Sequence, residues 1–212
     1  MPPLAKFAAS PFGIVERFAE PGAKPGDTAL LPVTLRNVEA ALQVKGLSPG
    51  KVSDLQPTSD TQIIAWFRKV QRYDEYEVPR KMAAADVKAP LPKSIEARDK
   101  DDVQSRMVSL LDGQPGVRTL DLPRPATGDP RPFEVVGIPL SPGFHVVEIA
   151  SQKLGTSLLD ERYGASRTMY VRTSALVTNL GVHFKLGREN ALAGVTTLDK
   201  GQIGRASCRE RV

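Results

Sequence analysis

Few residues of this chain could do chemistry, and they lie far apart. The two histidines are His145 and His183, and the one cysteine is Cys208. A single thiol makes no disulfide framework and no multi-cysteine metal site, and two distant imidazoles are too few for a zinc centre. His145 lies in Phe144-His145-Val146-Val147, among alternating apolar residues. A histidine working as a base needs an orienting partner, and Glu148, three residues along an extended strand, points to the opposite face. A structural role is the expectation for His145. The same holds for His183, which sits between Val182 and Phe184 with no nucleophile nearby in sequence.

No dinucleotide, phosphate-loop, His-Glu-x-x-His or Gly-x-Ser-x-Gly pattern occurs. The charged run at 96–102 lacks the spacing and the bidentate Glu of a calcium loop, and reads as the solvated start of a helix, where negative charge suits the macrodipole. Arg68, Lys69 and Arg72 with Tyr73 and Tyr76 could face nucleic acid. Asp74, Glu75 and Glu77 are interleaved with them, however, and a face of mixed sign is a solvated one. No catalytic, cofactor-binding or metal-binding residue is expected, and neither an enzyme nor a nucleic-acid binder.

The elements around these residues are mostly short strands. The chain has 212 residues, 41% hydrophobic and 25% charged, with 17 Gly and 18 Pro. No window approaches the roughly 18 uninterrupted apolar residues of a membrane helix. Residues 12–16 and 29–38 read as strands around a Pro/Gly loop at 20–27, and 46–57 is turn-rich. Ser59 and Gln62 fit a capping box, after which Ile63, Trp66, Phe67, Val70 and Tyr73 keep helical spacing. That predicts an amphipathic helix of about 15–18 residues ending before Pro79. Residues 83–92 look like a linker. A second helix is predicted from about Lys100 to Leu111, with Val103, Met107, Leu110 and Leu111 as its stripe and Gly113 as its cap. Further strands are expected at 119–122, 133–139, 143–150, 168–173, 175–184 and 191–198. The expected fold is mainly β, an antiparallel sandwich with a two-helix insertion at about 59–112. A parallel α/β fold would interleave its helices with strands, and here they are bunched.

The final ten residues, 203–212, match a translated sequencing-library adapter in one reading frame, and are expected not to belong to the natural protein. Cys208 goes with them. So do three arginines and one glutamate, which lowers the formal charge from +5 to +3. On this expectation residues 1–202 are a fragment.

Several strand sequences carry a family resemblance. They are residues 142–151 (PGFHVVEIAS), 170–180 (YVRTSALVTNL), 183–189 (HFKLGRE) and 195–199 (VTTLD), with 11–16 and 31–39 earlier in the chain. Together they resemble the N-terminal half of the bacterial α2-macroglobulins, large cell-envelope proteins built from consecutive macroglobulin-type β-sandwich domains. Gly194 departs from the pattern, which often has a bulky aromatic there. The resemblance implies a macroglobulin-like sandwich over residues 8–172, the first strands of the next such domain over 173–202, and so an incomplete second β domain.

It also implies a non-catalytic scaffold piece of a protease-trapping inhibitor, with proteases as partners and a cell-wall synthase as a further one. The thioester of such traps needs Cys-x-x-Gln, so neither thioester nor bait maps onto this chain, and no cofactor is implied. The implied location is the periplasm, with the parent tethered to the inner membrane by a lipidated cysteine upstream of Met1. The alternative is a surface- or carbohydrate-binding β-sandwich module of the cell envelope, which calls for a planar row of exposed aromatics. Trp66 separates the two: buried against the sandwich it favours scaffold, exposed at a cleft it favours the alternatives.

Overall fold

Val, Ile and Leu alternating with small or polar residues make the centre of this molecule a stack of strands. The computed structural model describes residues 4–7, 14–16, 29–36, 51–91, 101–121, 133–152, 168–188, 191–197 and 207–208. The predicted loop at 20–27 and most of the charged run at 96–102 lie outside them. In chain order the elements are β1 (Leu4–Phe7), β2 (Ile14–Glu16), β3 (Ala29–Arg36), β4 (Lys51–Leu55), α1 (Asp60–Arg72), β5 (Glu77–Pro79) and α2 (Arg80–Asp86). Then follow β6 (Asp102–Gln104), a 3-10 turn (Ser105–Met107), β7 (Arg118–Asp121), β8 (Phe133–Leu140), β9 (Gly143–Ser151) and β10 (Met169–Thr178). The last are β11 (Leu180–Leu186), β12 (Ala191–Thr197) and β13 (Ser207–Cys208).

The fold is mainly β with two α-helices among the described residues. A five-stranded sheet runs β2-β10-β9-β4-β7, antiparallel except for the β2–β10 pair. An antiparallel sheet β1-β3-β8 supplies Leu31, Val33, Ile138 and Leu140 to one apolar cluster with Val52, Val147, Ile149, Ala175 and Val177 of the larger sheet. The other face of β9 turns Phe144 and Val146 toward Val70 of α1 and toward Leu111. Both faces of β9 are therefore interior. Each fully buried Leu or Ile contributes about 2 kcal/mol by leaving water.

Ser59 caps α1 as the sequence predicts, its Oγ accepting from the Gln62 N–H at 3.3 Å. The helix is shorter than predicted, 13 residues. Asp74, Glu75 and Glu77 crowd its C-terminal end, where the macrodipole disfavours carboxylates, and Glu77–Pro79 pairs with β6 instead. The predicted helix from Lys100 to Leu111 is not formed. Val103 pairs with Val78 across β5–β6, and after one 3-10 turn the chain runs irregularly with Met107, Val108, Leu110 and Leu111 all buried. Gly113 lies in a turn closed by the Gln114 N–H on the Leu111 carbonyl at 3.1 Å.

The second helix is α2, whose last four residues, 83–86, fall in the stretch 83–92 read as linker. Its Asp86 ties it to α1 through Lys69 and Arg72. The turn-rich stretch 46–57 holds β4, an inner strand of the large sheet. Residues 169–178 form one strand, paired with β9 from Met169 to Val177. Residues 173–178 continue β10 in the five-stranded sheet, and β11, from Leu180, belongs to a different sheet.

Candidate functional site

The titratable groups that the fold gathers lie on opposite faces of β9. On the sandwich face, the His145 ring is fully buried. Its Nδ1 lies 2.8 Å from Asp54 Oδ1, and its Nε2 lies 2.8 Å from the Ser141 carbonyl. A carbonyl and an ionised carboxylate can only accept, so both bonds form only with hydrogen on both ring nitrogens. Asp54, itself fully buried on β4, also accepts from Nη2 of the half-exposed Arg118 on β7. Burial works to raise the Asp54 pKa, but the hydrogen bonds from His145 and Arg118 and their charges outweigh it and hold the carboxyl below its ordinary value.

The same corner is fastened by Gln56, whose Nε2 donates to the Pro142 carbonyl at 2.8 Å. Gly143 begins β9 at φ +127°, where a Cβ would come within 2.7 Å of that Gln56 nitrogen. Only glycine takes this backbone without strain.

On the opposite face, Glu148 and Arg172 face each other across β9–β10, with Arg172 Nε 3.3 Å from Glu148 Oε2. Glu148 accepts from the Ser109 hydroxyl and, at 2.9 Å, from the Leu110 N–H. Arg172 Nη2 donates to the carbonyls of Ser105 and Val108 at 2.9 and 2.6 Å, and its guanidinium lies 5.4 Å from the centre of the Tyr73 ring. Burial lowers the Arg172 pKa, opposed by Glu148. Burial and the Asp86 carboxylate push the Tyr73 phenol up. The pair thus replaces the helical hydrogen bonds that 105–110 would otherwise make, which is why that segment is not a helix.

As predicted, Glu148 is not the partner of His145. The partner, Asp54, is 91 residues away and was not singled out by the sequence; neither were Arg118 and Arg172. The one signal for Asp54 is its place two residues after Val52, on the same strand face. His183 is exposed on β11. Trp66 is half-buried, packed against both apolar clusters, with Lys69 Nζ 4.9 Å from its ring centre. The exposed described aromatics, Tyr76 and Phe184, belong to separate elements. Among the described residues no group of three or more His, Cys, Asp or Glu could hold a metal ion, and no helix is long and apolar enough to cross a membrane.

The class these features define is a mainly β protein with antiparallel sheets, one sheet covered by a helical segment, and with His145, Asp54 and Glu148 bonded to other residues of the chain. No protein-family profile matches the chain, and no curated protein does. Among solved structures, it aligns over 99% of its length with native α2-macroglobulin from Escherichia coli spanning domains MG0-NIE-MG1, at 14% identity and a TM-score of 0.39. A second structure of that protein, spanning NIE-MG1, aligns over 99% of this chain and 83% of its own, at 12% identity and a TM-score of 0.37. The chain spans 55% of the first of these structures.

Proposed function

We propose that the chain is a non-catalytic scaffold piece of a protease-trapping inhibitor of the α2-macroglobulin type. One observation carries the scaffold part: the buried carboxylates and the imidazole on β9 and β4 spend their polar atoms on the fold itself. Both His145 nitrogens and both Glu148 oxygens are engaged by other residues of the chain. A group held this way aligns strands, and its hydrogen bonds are directed at the fold.

The trapping part rests on the strand sequences that resemble the family. On that reading residues up to Thr178 form one sandwich, and β11 and β12 open a further β unit of a longer parent. The parent works in the periplasm against proteases, held to the inner membrane by an upstream lipid, with a cell-wall synthase as neighbour.

The test is the uninterrupted gene and its product. The gene should continue past Gln202 into further β-sandwich domains. The purified product, incubated with a protease, should abolish cleavage of a protein substrate while leaving cleavage of a small chromogenic peptide largely intact. A natural stop just after residue 212, or equal loss of both activities, overturns the reading.

A further inference from the structure

The three-stranded sheet passes into the five-stranded one through Ser141-Pro142, between the end of β8 at Leu140 and the start of β9 at Gly143. Two side chains hold this link. Gln56, just past β4, accepts from the Ser141 hydroxyl on Oε1 at 3.2 Å and donates from Nε2 to the Pro142 carbonyl. His145 reaches back from β9 to the Ser141 carbonyl with Nε2, while its Nδ1 is bonded to Asp54 of β4. The ring is fully buried, so bulk water does not stand in for either partner.

Two acceptors on one ring make the link depend on a proton. With a single hydrogen, a neutral imidazole satisfies only one of them. Asp54, held ionised and fully buried, is the stronger acceptor and keeps the Nδ1 hydrogen. Nε2 then turns a lone pair toward the Ser141 carbonyl oxygen at 2.8 Å, and two lone pairs that close repel. We propose that His145 is a pH-operated latch between the two sheets. It holds the 141–142 turn while the ring carries both hydrogens, and loss of one frees the turn while the bond to Asp54 stays.

The charges around the ring set the direction. On its own face the ring meets Asp54, and beyond that carboxylate the half-exposed Arg118 of β7. β10 sets Ala175 opposite it and brings no charge there. Glu148 and its partner Arg172 lie on the other face of β9. The carboxylate in contact favours the charged ring, and Arg118, drawn to the same carboxylate, opposes it. The closed latch binds one proton more than the open one, so it closes at lower pH and opens as pH rises. This inference does not rest on the trap reading, and its failure leaves that reading untouched.

Nitrogen-15 NMR and hydrogen exchange on the full chain test it. At pH 7 both His145 ring nitrogens should show the shifts of protonated nitrogens. As pH rises, Nε2 should lose its hydrogen and Nδ1 keep it. Over the same midpoint, exchange protection of residues 139–146, corrected for the intrinsic rate, should fall by up to about tenfold per pH unit, with 169–172 of β10 unchanged. Arg118→Gln removes the opposing cation from a half-exposed position and should move both midpoints to higher pH together. A neutral ring at pH 7, loss of the hydrogen from Nδ1, or titration with no loss of protection at 139–146 overturns the proposal. So does a loss spread evenly over the chain, or an Arg118→Gln chain whose two midpoints do not rise together.

Discussion

Asp54 shows how the buried charges act. Its carboxyl is held below its ordinary value in the fold, so the ionised form is favoured by folding. The stability this brings is present above the ordinary carboxylate range and is lost as pH falls through the folded value. Urea unfolding followed from pH 7 downward should therefore show a steeper acid loss for the natural chain than for Asp54→Asn. Parallel profiles would remove Asp54 from the acid response. Arg172 is the matching case on the other face. Arg172→Met leaves Glu148 buried without its cation and should cost about 3–5 kcal/mol in chemical unfolding, while adding Glu148→Leu should recover much of that loss. If the double variant is as unstable as the single one, the cost lies in packing and not in the stranded charge.

At the scale of elements, the strands of the C-terminal half were legible because β8, β9 and β12 alternate or run apolar between turn residues, and α1 because Ser59 and its periodic stripe mark it. β4 was not legible: in Lys51-Val52-Ser53-Asp54-Leu55 the second inward position is a carboxylate, and its burial makes sense only with His145 and Arg118 beside it. The segment 102–111 misled for the opposite reason. Val103, Met107, Leu110 and Leu111 fit a helical stripe, but the backbone carbonyls of Ser105 and Val108 go to Arg172 on a distant strand. The place of His145 on a strand among apolar residues was legible, while its partner was not, because a contact across 91 residues leaves no local spacing. Gly194 is open to improvement. Opposite His183 in β12, a Cβ there would meet only the His183 carbonyl oxygen, at 3.9 Å. Gly194→Val should stabilise the hairpin by about 1 kcal/mol, removing chain entropy and adding a strand-favouring side chain. Slower hydrogen exchange of the β11–β12 amides would register it, and unchanged exchange would count against it.

For the molecule as a whole, burial divides sharply at Asn179. Upstream, β9 and β10 are largely interior; downstream, every described side chain of β11 except Gly181 is exposed. Limited proteolysis should cut first between residues 179 and 202 and leave the larger sheet intact, and equal resistance on both sides of Asn179 would contradict this. The double burial of β9 has a further consequence. From Phe144 to Ile149 every side chain is interior, three against one layer and three against the other. A substitution there always meets a neighbour, whichever way it points. Saturation mutagenesis should find this stretch the least forgiving in the protein, and a stretch with so little room to drift is where kinship between distant sequences stays readable longest.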